Sequence, residues 1–226
     1  MSLTKNVFIF IGPPGSGKGS LSQQCIKEAG WHQLSTGTLC RKHINEQTAI
    51  GKKIDFAIKS GKLIADGLII DMVREWLLDH NQLFNNLILD GFPRTVTQAE
   101  ALHQFLLKNN IYKLNIIRLC ISDDSVIKRI AGRLICKNND CQMVYSEVCQ
   151  SLYPRKVMTC DSCLYELVKR NDDAVDAVQY RLQTYHMHEK NLIDYYNKNG
   201  FIINQVNVEQ PLYQVFKELQ ALLGKN

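Results

Sequence analysis

Nine residues, Gly12-Pro-Pro-Gly-Ser-Gly-Lys-Gly-Ser20, carry the densest chemical signal in the chain. Glycines at 12, 15, 17 and 19 let several backbone N–H groups converge on one anion. A helix starting here adds its partial positive charge, and Lys18 adds a mobile cation. The chemistry is phosphate binding. The pattern G-x-x-x-x-G-K-[ST] is met at Gly12, Gly17 and Lys18, but Gly19 follows and the hydroxyl arrives one place late, at Ser20. The lack of G-x-G-x-x-G after the apolar run weighs against a dinucleotide site.

A second constellation is ionic. Asp90 closes the apolar run Leu87-Ile-Leu-Asp90, where an open parallel sheet places ligands and where a carboxylate can hold Mg2+ through its water shell. Its alternative role is a cap before Gly91-Phe-Pro. Arginines at 41, 94, 129, 133, 170 and 181 each read as surface charge when taken singly. Together they suit phosphoryl transfer between two polyanions, because positioning and charge stabilisation carry that reaction and no protein nucleophile is required.

The third constellation is thiol. Of eight cysteines, five lie between Cys136 and Cys163, too localised to staple the whole chain with disulfides. With no secretory leader expected, a metal explains them better. One structural Zn2+ on Cys136, Cys141, Cys160 and Cys163 is the expectation, with Cys149 as the alternative to Cys136. Cys160-Asp-Ser-Cys163 has the two-residue spacing common in such sites, whereas four residues separate Cys136 from Cys141. Iron is less suited to a lone site with no redox task. Over 134–169, Lys137, Arg155, Lys156 and Lys169 are balanced by Asp140, Glu147, Asp161 and Glu166. Such a neutral segment is poor at collecting nucleic-acid phosphates, so no nucleic-acid partner is expected.

These residues need a scaffold. At 226 residues and 45% hydrophobic content the chain can fill a sizeable core, as one or two domains. Its formal charge of +5 is mild, suited to small anionic substrates. The run Val7-Phe-Ile-Phe-Ile11 is far too short for a membrane span, and a cytoplasmic monomer is the expectation. Strands are expected over 7–11, 87–90, 114–121 and 201–206. Helices are expected over 18–29, 38–46, 51–60, 67–79, 97–108, 123–133, 172–198 and 210–223. Strands alternating with helices imply an α/β fold with a parallel sheet that carries helices on both faces; five strands are expected, of which these four are located. From 134 to 169 the helical period disappears and little aliphatic material remains, so this stretch reads as an inserted minidomain that requires a staple.

Taken together, the loop 12–20, Leu34-Ser-Thr-Gly37 with Arg41, Gly61-Lys-Leu-Ile64, Leu89-Asp-Gly-Phe-Pro-Arg-Thr95 with Gln98, Arg129-Ile-Ala-Gly-Arg133, and Arg170-Asn-Asp-Asp173 with Arg181 resemble the adenylate kinases of the long form. The resemblance covers essentially the whole chain. It implies the P-loop nucleoside triphosphate hydrolase fold with AMP-binding and lid insertions, and transfer of the terminal phosphoryl of Mg-ATP to AMP, giving two ADP. The implied parts are a core of 1–34, 65–133 and 170–226, an AMP-binding domain of 35–64 and a zinc-stapled lid of 134–169. ATP would contact Gly15, Ser16, Gly17, Lys18, Gly19, Ser20, Arg133, Val144, Tyr145 and Gln205. AMP would contact Thr36, Arg41, Lys62, Leu63, Ile64, Gly91, Phe92, Pro93, Arg94, Gln98, Arg170 and Arg181. Lys18, Asp90, Arg94, Arg129, Arg133, Arg170 and Arg181 would carry the transfer. A related kinase acting on UMP or CMP is the alternative. Three departures from the family pattern stand out: Thr38 where an aspartate is usual, Ser20 for threonine, and Asn207-Val208 for aspartate-glycine.

Overall fold

The apolar run near the N-terminus forms β1 (Lys5–Ile11), whose last five residues are all buried. A strand covered on both faces has no polar side to show, which is why it reads as continuous rather than alternating. The same holds for β3 (Asn86–Asp90), with its three central residues buried. These strands pair in parallel with Phe8 opposite Ile88 and Phe10 opposite Asp90, while β2 (His32–Ser35) flanks β3 with Ser35 also opposite Asp90. With β4 (Tyr112–Cys120) and β8 (Ile203–Asn207) they build a five-stranded parallel sheet of order β2-β3-β1-β4-β8.

The computed structural model describes residues 5–59, 64–80, 85–109, 112–138, 141, 143–170 and 173–223. The connecting helices are α1 (Lys18–Ala29), α2 (Thr36–Asn45), α3 (Ala49–Lys59), α4 (Asp66–His80), α5 (Val96–Asn109), α6 (Asp123–Ala131), α7 (Val175–Lys198) and α8 (Leu212–Leu223). Parallel neighbours need such crossovers, and strands that neighbour out of sequence order require several of them. None of the helices among the described residues is long and apolar enough to cross a membrane.

Two compact units result. One comprises residues up to 11, 25–117 and 188–204, and the other 12–24, 118–187 and from 205 onward. The second unit contains a small antiparallel sheet of β6 (Val144–Ser146), β5 (Arg133–Cys136) and β7 (Leu167–Val168), in that order. Its core is Leu134, Cys136, Tyr145, Cys160 and Leu167, with Cys141, Met143 and Cys163 packed against it. Half of these eight residues are cysteines, as the shortage of aliphatic residues between 134 and 169 requires.

Element ends shift by up to three residues from the sequence expectation, and three of the differences touch the site-bearing segments. Strand β2 carries too little signal to be found, because a four-residue edge strand with an exposed first residue and one buried leucine has no clear period. Helix α6 ends at Ala131 rather than 133. Gly132 caps it through its N–H on the carbonyls of Lys128 and Ile130, and a Cβ there would stand 2.8 Å from Val148. Arg133 thus opens a strand instead of closing a helix. Helix α7 begins at Val175, three residues later than expected, and Asn171 and Asp172 lie outside the described residues.

Candidate active site

In the second unit, the glycine-rich loop folds back on itself before α1. Gly15 and Gly17 adopt φ of 77° and 92°, a left-handed region that side chains resist. A Cβ at Gly15 would also lie 2.7 Å from the Ile130 side chain on α6, so only glycine fits. Ser16 is almost fully buried. Lys18 curls over the loop, its Nζ donating to the carbonyls of Gly12 (2.7 Å) and Pro13 (2.8 Å) and to the Ser16 hydroxyl (3.3 Å). Gly19 and Ser20 follow on the first turn of α1. The ammonium is therefore parked on the cradle by neutral acceptors that a phosphate oxygen can replace.

Arg129 rises from α6 and donates to the backbone carbonyls of Ser16, at 3.5 Å, and of Val208 beyond β8. It links the phosphate loop to the segment following β8. That segment is fixed a second time by Glu209, whose carboxylate accepts from the Ser122 hydroxyl (2.6 Å) and backbone N–H (3.1 Å). Hydrogen bonds from Ser122 and Ser125 pull the Glu209 carboxyl down to about 2. Asn207 accepts from the Glu209 N–H at 2.9 Å and caps the turn. Gln205, on β8, accepts from the Cys120 thiol at 3.6 Å.

Arg133 donates through Nε to Asp173 Oδ2 at 2.8 Å and through Nη2 to Oδ1. Arg181, on α7, brings Nη1 within 3.7 Å of the same Oδ1. The Asp173 side chain is only 7% exposed, so two of the arginines expected to clamp phosphate converge on one shielded carboxylate. Arg170 lies just before this segment and is partnered.

The first unit gathers most of the residues expected to hold an acceptor; Arg170 and Arg181 belong to the second. Asp90 ends β3, and its Oδ2 accepts from Gln33 on β2 at 3.2 Å. Thr36, buried on the first turn of α2, donates to the carbonyls of Asp90 (3.3 Å) and Gly91 (3.0 Å). Gly91 has φ of 79°, and a Cβ would meet Thr36 Oγ1 at 2.8 Å. The Phe92–Pro93 peptide is cis, and both side chains are buried, so this segment offers its backbone. Arg94 by contrast is exposed, its Nε steadied on the Gly91 carbonyl at 2.9 Å.

Gln98 is buried, and its carboxamide is held at both ends. Its Oε1 accepts from the Arg94 N–H at 2.8 Å, and its Nε2 donates to Asp66 at 2.7 Å. Arg41, on α2, donates to the Thr38 hydroxyl at 3.0 Å, so the threonine in place of aspartate still provides an acceptor, though a neutral one. Ile64 is half-buried just before α4, while Lys62 and Leu63 lie outside the described residues.

The four thiols expected to bind metal meet. The sulfurs of Cys136, Cys141, Cys160 and Cys163 all lie within 4.8 Å of one another, with 3.3 Å between Cys136 and Cys163 and 3.7 Å between Cys141 and Cys160. Tetrahedral zinc with Zn–S bonds of about 2.3 Å requires S···S separations of about 3.8 Å, so the set fits that ion. Cys149 is not in the group and its sulfur contacts Ser151. Burial pushes the Cys136 thiol up to about 12 and raises Cys141 as well. Burial acts in the same direction on Cys160, but hydrogen bonds from Tyr145 and the backbone N–H groups of Cys163 and Ser162 outweigh it and bring this thiol down to about 6. Val144 and Tyr145 lie on β6, opposite Ile135 and Leu134. The Tyr145 ring packs in this core.

Several residues in these arrangements escaped the sequence reading as site components: Gln33, Asp66, Asp173 and Glu209. A lone Asp or Glu near a helix start or in a loop reads as a cap or surface charge. Of the four, only Asp173 lies within one of the family-like motifs, Arg170-Asn-Asp-Asp173.

The sequence matches the family described as adenylate kinase over residues 10–201. Over 87% of its length it is 43% identical to an adenylate kinase of Treponema denticola, covering 89% of that protein. It is also similar to adenylate kinases of Archaeoglobus fulgidus, 36% identical over 96% of this chain and 97% of the relative, and of Mesoplasma florum, 37% identical over 95% and 99%.

Proposed function

The chain belongs to the adenylate kinase family, and from that premise we propose how its own residues divide the work of moving the terminal phosphoryl of ATP to AMP, giving two ADP. The donor belongs on the glycine loop, where backbone N–H groups and Lys18 meet the β and γ phosphates. The observation that carries this reading is Lys18 itself, held by three neutral oxygen acceptors at 2.7–3.3 Å in a loop built from positive-φ glycines. Exchanging those acceptors for phosphate oxygens turns neutral hydrogen bonds into charge-assisted ones.

Arg129, Arg133, Arg170 and Arg181 offset the negative charge that spreads over the oxygens of the transferring group. Asp173 keeps two of them oriented beforehand. Val144, the backbone of Tyr145, and Gln205 border the nucleoside of ATP. Asp90, oriented by Gln33, would hold the Mg2+ of Mg-ATP through its water shell, and that ion would supply neutralisation of the phosphate charge.

On the acceptor side Arg94 and Arg41 take the AMP phosphate. Thr36, Lys62, Leu63, Ile64, the backbone of 91–93 and the amide of Gln98 surround the nucleoside. Segment 35–64 acts as the AMP-binding domain and 134–169 as a lid that keeps water from taking the phosphoryl group. Cys136, Cys141, Cys160 and Cys163 would hold one zinc ion, which would supply the folding free energy that the small lid core lacks. The enzyme works as a monomer.

A coupled assay supplying Mg-ATP with AMP, CMP, UMP or GMP tests the assignment. Turnover restricted to AMP supports it. Turnover favouring a pyrimidine nucleotide moves the acceptor reading to the UMP and CMP kinases, and none with any monophosphate rejects it.

A further inference from the structure

We propose that Tyr145 is a positioning residue for the lid metal: its phenol O–H donates to the Cys160 sulfur and fixes that ligand. The proposal rests on the zinc reading of the four thiols. Three observations carry it.

The phenol oxygen lies 3.5 Å from Cys160 Sγ, hydrogen-bonding range for sulfur. A thiolate that binds metal has no proton, so in the loaded site the phenol is the donor. The same oxygen accepts the backbone N–H of Asp161 at 2.7 Å. With that N–H on one side of the oxygen, the phenol hydrogen is left to point at the sulfur.

One side chain thus grips both a ligand and the peptide that follows it, in the middle of Cys160-Asp-Ser-Cys163. The geometry is also protected. Cys160 is fully buried and Tyr145 is 5% exposed, so water has no access to replace a lost hydrogen bond. The ring is aimed by register, since Tyr145 stands opposite Leu134 on β5, the strand that begins at Arg133 and ends at the ligand Cys136. The contact therefore ties the metal to a strand whose first residue is one of the proposed phosphate arginines.

A hydrogen bond to a metal thiolate orients it and withdraws electron density from it, and partners of this kind are worth about 10–100-fold in metal affinity. The test uses the full chain with Tyr145→Phe, which keeps the ring and removes the donor. Zinc affinity is read by competition with a chromogenic chelator, and the sulfur-to-metal charge-transfer band is read on the Co2+-substituted protein. The expected result is zinc held about 10-fold more weakly and a Co2+ band shifted to lower energy. Leu134→Ala, in the same core, serves as control: it lowers the melting temperature but leaves the band in place.

The proposal is overturned if Tyr145→Phe leaves affinity and band as in the parent, or if Leu134→Ala moves the band equally. Should the parent itself take up neither Zn2+ nor Co2+, the zinc reading falls and this inference with it.

Discussion

Arg133 and Asp173 hold each other through a two-pronged ion pair in which the carboxylate is almost sealed from solvent and also lies 3.7 Å from Arg181. Removing the shared anion leaves two guanidiniums facing each other with little water. For a pair this shielded, loss of one partner costs about 3 kcal/mol. Asp173→Ala is therefore expected to lower the urea midpoint clearly. It is also expected to reduce kcat by at least about tenfold, because the arginines lose their preset orientation. A denaturation curve overlapping the parent's would show that the pair contributes nothing.

Lys18 supplies a sharper kinetic contrast. Its ammonium donates to the neutral carbonyls of Gly12 and Pro13, and exchanging these for phosphate oxygens makes its stabilising effect grow as charge develops on the transferring group. Lys18→Ala is expected to cut kcat by about 100-fold or more, with a smaller change in KM for ATP. Arg94→Ala is expected to raise KM for AMP as well as lower kcat, since on the proposed reading it holds the acceptor phosphate before and during transfer. Turnover within about twofold of the parent in either variant, against the losses such donors normally cause, contradicts the role assigned to it.

The chain shows which part of such a site is legible in sequence. The loop 12–20 is readable because its glycines are demanded by backbone geometry and its lysine by charge, both local requirements. The buried strands β1 and β3 are readable because sheets covered on both faces leave unbroken apolar runs. What was missed depends on partners far apart in sequence: Asp66 means little until Gln98 and Thr95 fold against it, and Gln33 means little until β2 pairs with β3. The direction of the Tyr145 ring likewise follows from its register with Leu134, which no local pattern encodes.

Glu209 gives a pH signature. Its folded carboxyl is held down to about 2 by Ser122 and Ser125, against an ordinary value of 4.5. A depressed carboxyl stabilises the fold above its unfolded value and loses that contribution as pH falls toward its folded one. Glu209→Gln is accordingly expected to melt below the parent near pH 7, with the gap closing between about pH 4.5 and pH 2. The group is exposed, so the gap is modest and shrinks with added salt. Melting curves across that range check this, and a gap that widens on acidification contradicts it.

Metal removal separates the cysteines. Because a structural metal contributes folding free energy, chelation is expected to lower the melting temperature by several degrees or more and to expose the lid to proteolysis. Cys160→Ala and Cys136→Ala should do the same without chelator. Cys149→Ala should retain zinc, since its sulfur sits beside Ser151 and apart from the other four. Metal analysis of the three variants decides which set of four ligands is used, and zinc lost from Cys149→Ala and Cys160→Ala but kept by Cys136→Ala would exchange Cys149 for Cys136.

On the proposed reading, base choice turns on the pairing of Gln98 with Asp66. A carboxamide free to rotate can present either its oxygen or its nitrogen, and so cannot tell adenine from guanine, whose edges reverse donor and acceptor. Here Oε1 is fixed on the Arg94 N–H and Nε2 on Asp66, which prevents the flip and leaves one N–H and one lone pair in set positions. On the proposed reading these meet the acceptor and donor of adenine, a guanine edge clashes in kind, and a pyrimidine falls short. Each buried polar group left unpaired costs about 1–3 kcal/mol, so AMP is expected to exceed GMP, CMP and UMP in kcat/KM by at least about 100-fold. Gln98→Ala should erode that ratio by weakening AMP. Asp66→Ala should erode it chiefly toward GMP, because the amide survives but regains its freedom to turn. Measuring all four monophosphates at saturating Mg-ATP, in the parent and both variants, checks each step. A parent that prefers UMP or CMP overturns the assignment of Gln98, and an AMP to GMP ratio unchanged in Asp66→Ala removes Asp66 from the account of specificity while leaving Gln98 in it.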